Sequence, residues 1–257
     1  MGGQTAAEHA LQIDMRKMNR VVALDVKAKK ITVEAGARWR DIQEVIDAKD
    51  LSLQIMQTYA NFTVGGSLSV NAHGRYANQG PLIRSVESIK MVLADGSVAK
   101  ASPDENAKLF YGAIGGYGAR GVIVEATLRL TDNVKVERLT QRIPIAEYRA
   151  YFNKQVRGNA AAVFHNEDLY PPTYDDVRAV TWVKTEKLVT VNERLIARNQ
   201  SYFSQPVLIS ALSSIPGGLN LRAQTLDPLQ YSSPKVEWRN YEASSLLSGL
   251  NHSCSTI

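Results

Sequence analysis

Cysteine is almost absent from this sequence, and histidine is scarce. The 257 residues include a single cysteine, Cys254, which excludes an internal disulfide framework and a metal site built from several cysteines. The four histidines stand far apart, at positions 9, 73, 165 and 252, so no local spacing resembles a zinc site. We therefore expect no metal centre.

Long apolar runs and blocks of like charge are also missing. No stretch approaches the ~20 consecutive apolar residues that a membrane-spanning helix requires, and the first residues lack the pattern of a signal peptide. The net charge is +5, but the basic residues are interspersed with acidic ones and form no footprint typical of nucleic-acid binding. The composition favours a cytoplasmic protein that binds neither nucleic acid nor a membrane, and it leaves the oligomeric state open.

The composition that remains is that of a folded chain, with 44% hydrophobic and 21% charged residues. Alternating patterns predict strands at residues 20–26, 30–35, 51–56, 86–93, 98–101 and 121–130. Apolar residues at helical spacing predict an amphipathic helix over residues 38–48, which completes a strand-helix-strand unit. A second helix, capped by Ser102 or Asp104, should run to about Tyr111. Residues 58–80 show no regular pattern.

Two local motifs have more than one interpretation. The pair Asp95-Gly96 between apolar runs predicts a type I′ hairpin turn with positive φ at both residues. Gly116-x-Gly118-x-x-Gly121 matches the Rossmann pattern, but it follows a predicted helix and precedes a strand, which is the reverse of the Rossmann order. It is either a flexible connection or a backbone loop that can approach a flat ligand closely.

The segment TVGGSLSVNAHGR, residues 63–75, is rich in small residues. Its paired glycines, Gly65 and Gly66, lack Cβ atoms, so their amides could approach the phosphates or rings of a ligand. The alternative is a tight turn with a small-residue packing face. His73 could be a general base, a ligand contact or a structural loop histidine.

Three segments in order, TVGGSLSVNAHGR, SVESIKMVLADGSV and LFYGAIGGYGARGVIVEATLRL, resemble the FAD-binding domain of the vanillyl-alcohol-oxidase superfamily, also called the PCMH-type FAD domain. Sugar-lactone oxidases and decaprenylphosphoryl-ribose oxidase belong to this superfamily. The resemblance covers residues 2–130. It implies an FAD-dependent oxidoreductase that oxidises a carbinol carbon of a sugar, sugar lactone or polyol by hydride transfer to flavin N5. The alternatives are a non-catalytic fragment that retains the motifs and, less favoured, an NAD(P)-binding enzyme.

The resemblance implies a set of FAD-binding residues and leaves the catalytic residue unnamed. The segment 63–67 would contact the flavin nucleotide, the segment 70–74 would run beside the isoalloxazine and pyrophosphate, and the strand at 121–123 would add backbone contacts. The first residues resemble the end of a pyrophosphate loop, without the preceding histidine that some members use for covalent attachment, so a noncovalent flavin is expected. The implied residues are Gly2, Gly3, Thr63, Val64, Gly65, Gly66, Ser67, Val70, Asn71, Ala72, His73, Gly74, Gly121, Val122 and Ile123.

The resemblance also implies an α+β fold. Residues 1–132 would form an FAD-binding domain whose second α/β subdomain is mostly complete and whose first is largely missing. Residues 133–243 would be part of a mixed α/β substrate, or cap, domain, since VEWRNYEAS at 236–244 resembles one of its strands. Residues 244–257 would be a tail of non-native character. Truncation at both ends predicts marginal stability and poor activity.

Overall fold

The structure is a computed structural model that describes residues 8–9, 12–170, 173–200, 210–212 and 214–246. It combines two antiparallel sheets with short helices, which confirms the predicted α+β class. The first sheet has the order β1-β2-β6-β4-β5, and β3 pairs with the end of β6. Its strands are β1 (Val21–Asp25), β2 (Lys30–Glu34), β3 (Leu51–Leu53), β4 (Val86–Val92), β5 (Val98–Ala101) and β6 (Val122–Asp132).

The second sheet has the order β10-β7-β9-β8. Its strands are β7 (Lys135–Pro144), β8 (Ala162–Leu169), β9 (Asp176–Lys184) and β10 (Val236–Trp238). The α-helices are α1 (Trp39–Asp47), α2 (Val64–Ser69), α3 (Ala107–Ala113), α4 (Ile145–Tyr151), α5 (Gly218–Leu221), α6 (Asp227–Ser232) and α7 (Arg239–Ala243). A π-helical turn, Phe152–Arg157, continues α4.

Helix α1 confirms the predicted amphipathic helix. Trp39, Ile42 and Ile46 lie on one face and are completely buried against the first sheet. The helix leads from β2 to β3, as the strand-helix-strand pattern predicted. The glycine triplet at 116–121 also has the predicted context, because it follows α3 and precedes β6.

Residues 58–80 are not irregular throughout, so that prediction is wrong. Helix α2 forms there, with the Thr63 side chain capping it by accepting a hydrogen bond from the Gly66 amide at 3.3 Å. Val64 and Leu68, one helical turn apart, are both fully buried. The two glycines between them conceal this periodicity in the sequence.

Two turn predictions also need correction. At Asp95-Gly96 a hairpin forms, but only Gly96 has positive φ (82°), because the connection is longer than two residues and its amide bonds back to the Leu93 carbonyl. Helix α3 begins at Ala107 and not at 102–104. The Ser102 hydroxyl instead accepts bonds from two following amides in a separate turn.

A single hydrophobic cluster spans both sheets. It contains Val33, Ile89 and Leu128 from the first sheet and Val136 and Trp182 from the second. The chain passes from one sheet to the other between β6 and β7, next to the predicted boundary at residue 132. The division into separate domains stays a prediction.

Buried polar side chains of α7 hold this helix against residues 47–54, which are distant from it in sequence. The Arg239 guanidinium donates to the carbonyls of Leu53 (3.1 Å) and Gln54 (2.9 Å). The Asn240 amide donates to the Asp47 carboxylate at 2.8 Å. Because a buried donor without a partner is costly, these bonds specify one docking position for α7.

Candidate cofactor site and adjoining pocket

The first turn of α2 is tied to the strand before α1. The amides of Val64 and Gly65 donate to the carbonyls of Ala37 (2.8 Å) and Ala35 (2.7 Å), and the Gly66 amide donates to the capping threonine hydroxyl. These three amides therefore have partners within the protein. A ligand could pack against the surface of this turn, but these three N–H groups are not free to donate hydrogen bonds to it.

The two paired glycines have different surroundings. A Cβ at Gly65 would lie 2.9 Å from the Cβ of Ala35, so this glycine permits close packing of α2 on the strand exit. Gly66 is exposed, and a Cβ there would meet only the Thr63 hydroxyl, at 3.0 Å. Gly65 therefore has the role of a small residue in a packing face. At Gly66, in contrast, the backbone is exposed at the surface and open to a ligand.

Ser67 is a buried polar contact between α2 and α1. It is 1% exposed, and its hydroxyl accepts a hydrogen bond from Trp39 Nε1 at 3.0 Å. The hydroxyl proton has two acceptors in reach, Gln57 Oε1 at 2.7 Å and the Thr63 carbonyl at 2.9 Å. This hydroxyl is thus fully engaged in holding α2 in place.

Beyond α2 the chain turns sharply. Val70 closes the helix, and Asn71 has φ of 45° while its side-chain oxygen accepts from the Ile83 amide at 3.1 Å. The Ala72 amide donates to the Ser67 carbonyl, and the Ala72 carbonyl accepts from the Leu82 amide. An asparagine tolerates this left-handed conformation better than most residues.

His73 and Gly74 differ in exposure. The His73 ring is exposed and its nearest polar contact is the Gly74 carbonyl, 3.5 Å from Nδ1. A Cβ at Gly74 would lie 2.3 Å from the Met56 carbonyl, so only glycine fits there. Among residues 70–74, His73 is the one whose side chain projects into solvent.

The structure brings the glycine loop at 115–121, which ends at the implied residue Gly121, against the end of α2. The Gly115 amide donates to the Leu68 carbonyl at 2.9 Å, and the Tyr117 amide donates to the Ser69 carbonyl at 3.0 Å. Gly118, at the tip of this loop, has φ of 82°, and a Cβ there would meet nothing within 4 Å. Residues 63–74 and the loop at 115–121 therefore form one continuous surface.

The loop ends in a glycine that the sheet requires. Gly121 has φ of 128°, and a Cβ would lie 2.4 Å from the Val92 carbonyl. Val122 and Ile123 then pair with Val92 and Met91 in the first sheet. They lie at the start of β6, an inner strand of that sheet, directly after the loop. Gly2 and Gly3 lie outside the described residues.

Two arginines that sequence reasoning did not select flank these segments. Arg38 pairs with Thr63 through an isolated β-bridge, and Arg120 lies in the glycine loop, with Nε 3.5 Å from the position of a Cβ on Gly112. Both are exposed, and neither forms an ion pair within the described part of the chain. A single arginine in a loop carries no sequence signal that would have identified it.

A pocket of about 390 Å³ begins where the first segment ends. One wall is the chain from Gly74 to Asn78, and the other carries side chains of α4, its π-helical turn and β8. The second wall consists of Tyr148, Phe152, Val156, His165 and Glu167. Over the residues that the structure describes, no cluster of three or more metal-binding side chains occurs, and no helix has the length and apolar character to cross a membrane.

The chain is similar to known proteins over part of its length. The family model described as an FAD binding domain matches residues 1–102. The chain is 34% identical over 124 residues to L-gulonolactone oxidase of Mus musculus, covering 48% of this chain and 28% of that protein. It is 32% identical over 123 residues to alditol oxidase of a Streptomyces species, covering 48% and 29%.

A solved structure of a cholesterol oxidase variant from Brevibacterium sterolicum matches with a TM-score of 0.66 and 17% identity, over 92% of this chain and 50% of that chain. At this identity the match shows the fold. The chain spans less than a third of the length of the curated relatives named above. The family model and the fold agree with the motifs: residues 1–102 are similar to an FAD binding domain, and the cofactor that this similarity indicates is FAD.

Proposed function

We propose that the surface formed by residues 63–74 and 115–123 binds FAD, and that the protein oxidises a carbinol carbon of a sugar, a sugar lactone or a polyol. The observation that carries the proposal is the pair of amide bonds from Gly115 and Tyr117 to the end of α2. They join the glycine loop at 115–121 to the helix that begins in the implied segment at 63–67, and they leave the backbone at Gly66 and Gly118 without side-chain cover. A flat dinucleotide needs such bare backbone for close approach.

The charges near this surface suit the cofactor. The pyrophosphate of FAD is an anion, and Arg38 and Arg120 are guanidinium groups with no ion-pair partner in the described chain. Arginine binds phosphate oxygens in a bidentate manner and keeps its charge at any physiological pH. The first amides of α2 are already bonded, so these side chains, and not a free helix terminus, would neutralise the pyrophosphate.

The chemistry of the substrate follows from the cofactor and the relatives. FAD accepts a hydride from carbon, and the protein supplies orientation, exclusion of water and a group that takes the hydroxyl proton. The relatives are named for a sugar lactone and for alditols, all of which carry secondary or primary hydroxyl groups. The pocket at Gly74 adjoins the proposed flavin surface and has the polar lining that such a substrate requires.

The test is the flavin content of the purified 257-residue chain. We expect a visible flavin spectrum and near-stoichiometric FAD, which acid precipitation releases to the supernatant and chromatography distinguishes from FMN. A colourless protein that takes up no added FAD would overturn the proposal. A yellow protein whose flavin is not reduced anaerobically by L-gulonolactone or by an alditol would support the alternative of a non-catalytic FAD-binding fragment.

A further inference from the structure

We infer that the pocket at Gly74 receives the hydroxyl-bearing carbon of the substrate, and that Tyr148 takes the hydroxyl proton while passing its own proton to His165. This inference deepens the proposed function and rests on it. It assigns a proton acceptor, which neither the motifs nor the family model identify.

The position of the pocket is fixed relative to the proposed flavin surface. Its first wall, from Gly74 to Asn78, directly continues the segment 63–74. Tyr76 and Phe164 form a β-bridge across the base of the pocket, and the His165 amide donates to the Arg75 carbonyl at 2.8 Å. These backbone bonds hold the two walls together. The volume of about 390 Å³ is within the range of small-molecule sites.

The lining combines apolar and hydrogen-bonding surface. Phe152 offers an apolar face for the C–H groups of a sugar or polyol, with the buried Val156 behind it, while the Tyr148 hydroxyl and the Glu167 carboxylate offer polar contacts. Arg75 also faces the pocket, but its guanidinium is ion-paired with Glu242. A polyhydroxylated ligand matches this mixture better than a purely apolar one.

Tyr148, His165 and Thr181 form a hydrogen-bonded chain behind the pocket. The Tyr148 hydroxyl lies 2.7 Å from Nε2 of His165, and Nδ1 lies 2.9 Å from the Thr181 hydroxyl. His165 and Thr181 are directly opposite each other on β8 and β9. The Tyr148 hydroxyl also lies 3.2 Å from the Glu167 carboxylate.

The environment sets the protonation of this chain. Burial lowers the pKa of His165, with Glu167 opposing the shift, so the imidazole is neutral near pH 7. Burial and the Glu167 charge raise the pKa of Tyr148, so the phenol stays protonated. Two tautomers satisfy both nitrogens: in one, Nε2–H donates to the Tyr148 oxygen while Tyr148 donates to Glu167 and Thr181 donates to Nδ1. The proposed relay uses the other, in which Nδ1–H donates to Thr181 and Nε2 accepts from Tyr148.

The proposed step balances. Bound FAD would supply the acceptor for the hydride that leaves the carbinol carbon. The O–H proton moves to the Tyr148 oxygen as the Tyr148 proton moves to Nε2 of His165. The substrate thereby loses one hydride and one proton to become a carbonyl compound, and the proton is held by His165 as an imidazolium. Glu167, with a carboxylate oxygen 3.9 Å from Nε2, stabilises that cation.

The experiment uses the FAD-loaded chain, the variant Tyr148→Phe and the control Tyr151→Phe on the same helix. Tyr151 packs beside Ile143 and Val177 and lines no part of the pocket. The imidazole resonances are recorded during titration with L-gulonolactone and with sorbitol, and His165→Gln identifies the His165 signal. Anaerobic flavin reduction is followed over a range of pH.

We expect either ligand to shift the His165 resonance in the parent and in Tyr151→Phe, with flavin content equal in all three proteins. Tyr148→Phe should lower the rate of flavin reduction about 100-fold or more, which is the usual contribution of a positioned base. The variant's rate should also lose the pH dependence that ionisation of His165 causes in the parent. A His165 resonance unmoved by both ligands, or a Tyr148→Phe rate within about threefold of the parent, would overturn the inference. Absence of bound FAD would instead refute the proposed function.

Discussion

Two neighbouring regions of this molecule, the proposed flavin surface and the adjoining pocket, differ in whether backbone or side chains form most of their surface. The proposed flavin surface consists of backbone: glycines at 65, 66, 118 and 121, and carbonyls and amides bonded to one another. The adjoining pocket is lined by residues 74–78 and by side chains of α4, its π-helical turn and β8. The hydrogen bonds of these side chains join groups that are distant in sequence. A substitution should therefore act through conformation in the first region and through chemistry in the second.

The strongest test of the backbone-built region is Gly121→Ala. The residue has φ of 128° and no room for a Cβ beside the Val92 carbonyl, so we expect a loss of about 3 kcal/mol in unfolding free energy. Urea denaturation followed by circular dichroism measures it. The matched control is Gly118→Ala, which has positive φ but open space and should lose only about 1 kcal/mol. Equal losses would show that the space at Gly121 does not matter.

Gly66→Val sharpens the contrast between packing and ligand contact. Because Gly66 is exposed and has ordinary helical φ, a branched side chain should leave the unfolding free energy within about 1 kcal/mol of the parent. It would stand between the backbone and FAD and should weaken FAD binding about 100-fold, which fluorescence titration measures. Gly65→Ala is the control, since its Cβ would press on Ala35 and cost stability first. Unchanged FAD affinity in Gly66→Val would remove Gly66 from the site.

Ser67→Ala tests a side chain that stabilises the first region, whose other hydrogen bonds are mainly between backbone groups. Removing the hydroxyl leaves Trp39 Nε1 without an acceptor and Gln57 without a donor in a buried place, so the unfolding free energy should fall by about 2 kcal/mol. Thermal denaturation measures the change. Full stability in the variant would mean that water replaces the hydroxyl and that α2 is held by its backbone bonds.

A pH-dependent test concerns a side chain beside the second region. Burial, followed by the neighbouring Glu242, raises the pKa of Glu237 from 4.5 to about 8. The folded state then holds a proton that the unfolded state releases between these values, so stability falls as pH rises from about 4.5 to about 8. Glu237→Gln should remove this fall, so the variant should gain stability relative to the parent as the pH rises from 5 to 8. Parallel pH profiles for parent and variant would contradict it.

The parts of the fold that were predictable from sequence depend on neighbouring residues. The strands of the first sheet and helix α1 follow from hydrophobic periodicity within a few residues. Helix α2 was missed because Gly65 and Gly66 have low helix propensity, and the helix depends on contacts with Ala35, Ala37 and Trp39.

The same distinction applies to the candidate site. The glycine-rich segments are visible in sequence because close approach of backbone permits only small residues there, although which glycine packs and which is exposed required the structure. The chain of Tyr148, His165 and Thr181 was not predictable. It depends on the register of β8 against β9 and on the angle at which α4 crosses them, neither of which any local pattern encodes.

The bond between Asn240 and Asp47 has a consequence for synthesis of the protein. The two residues are 193 positions apart, so α1 leaves the ribosome long before the partner that completes its polar contacts exists. At about 5–20 residues per second, the wait lasts roughly 10–40 s. Throughout that interval the carboxylate of Asp47 and the carbonyl of Leu51 lack the amide that satisfies both. These contacts of α1 therefore cannot form until residue 240 has been synthesised, and molecular chaperones have that interval in which to act on the nascent chain.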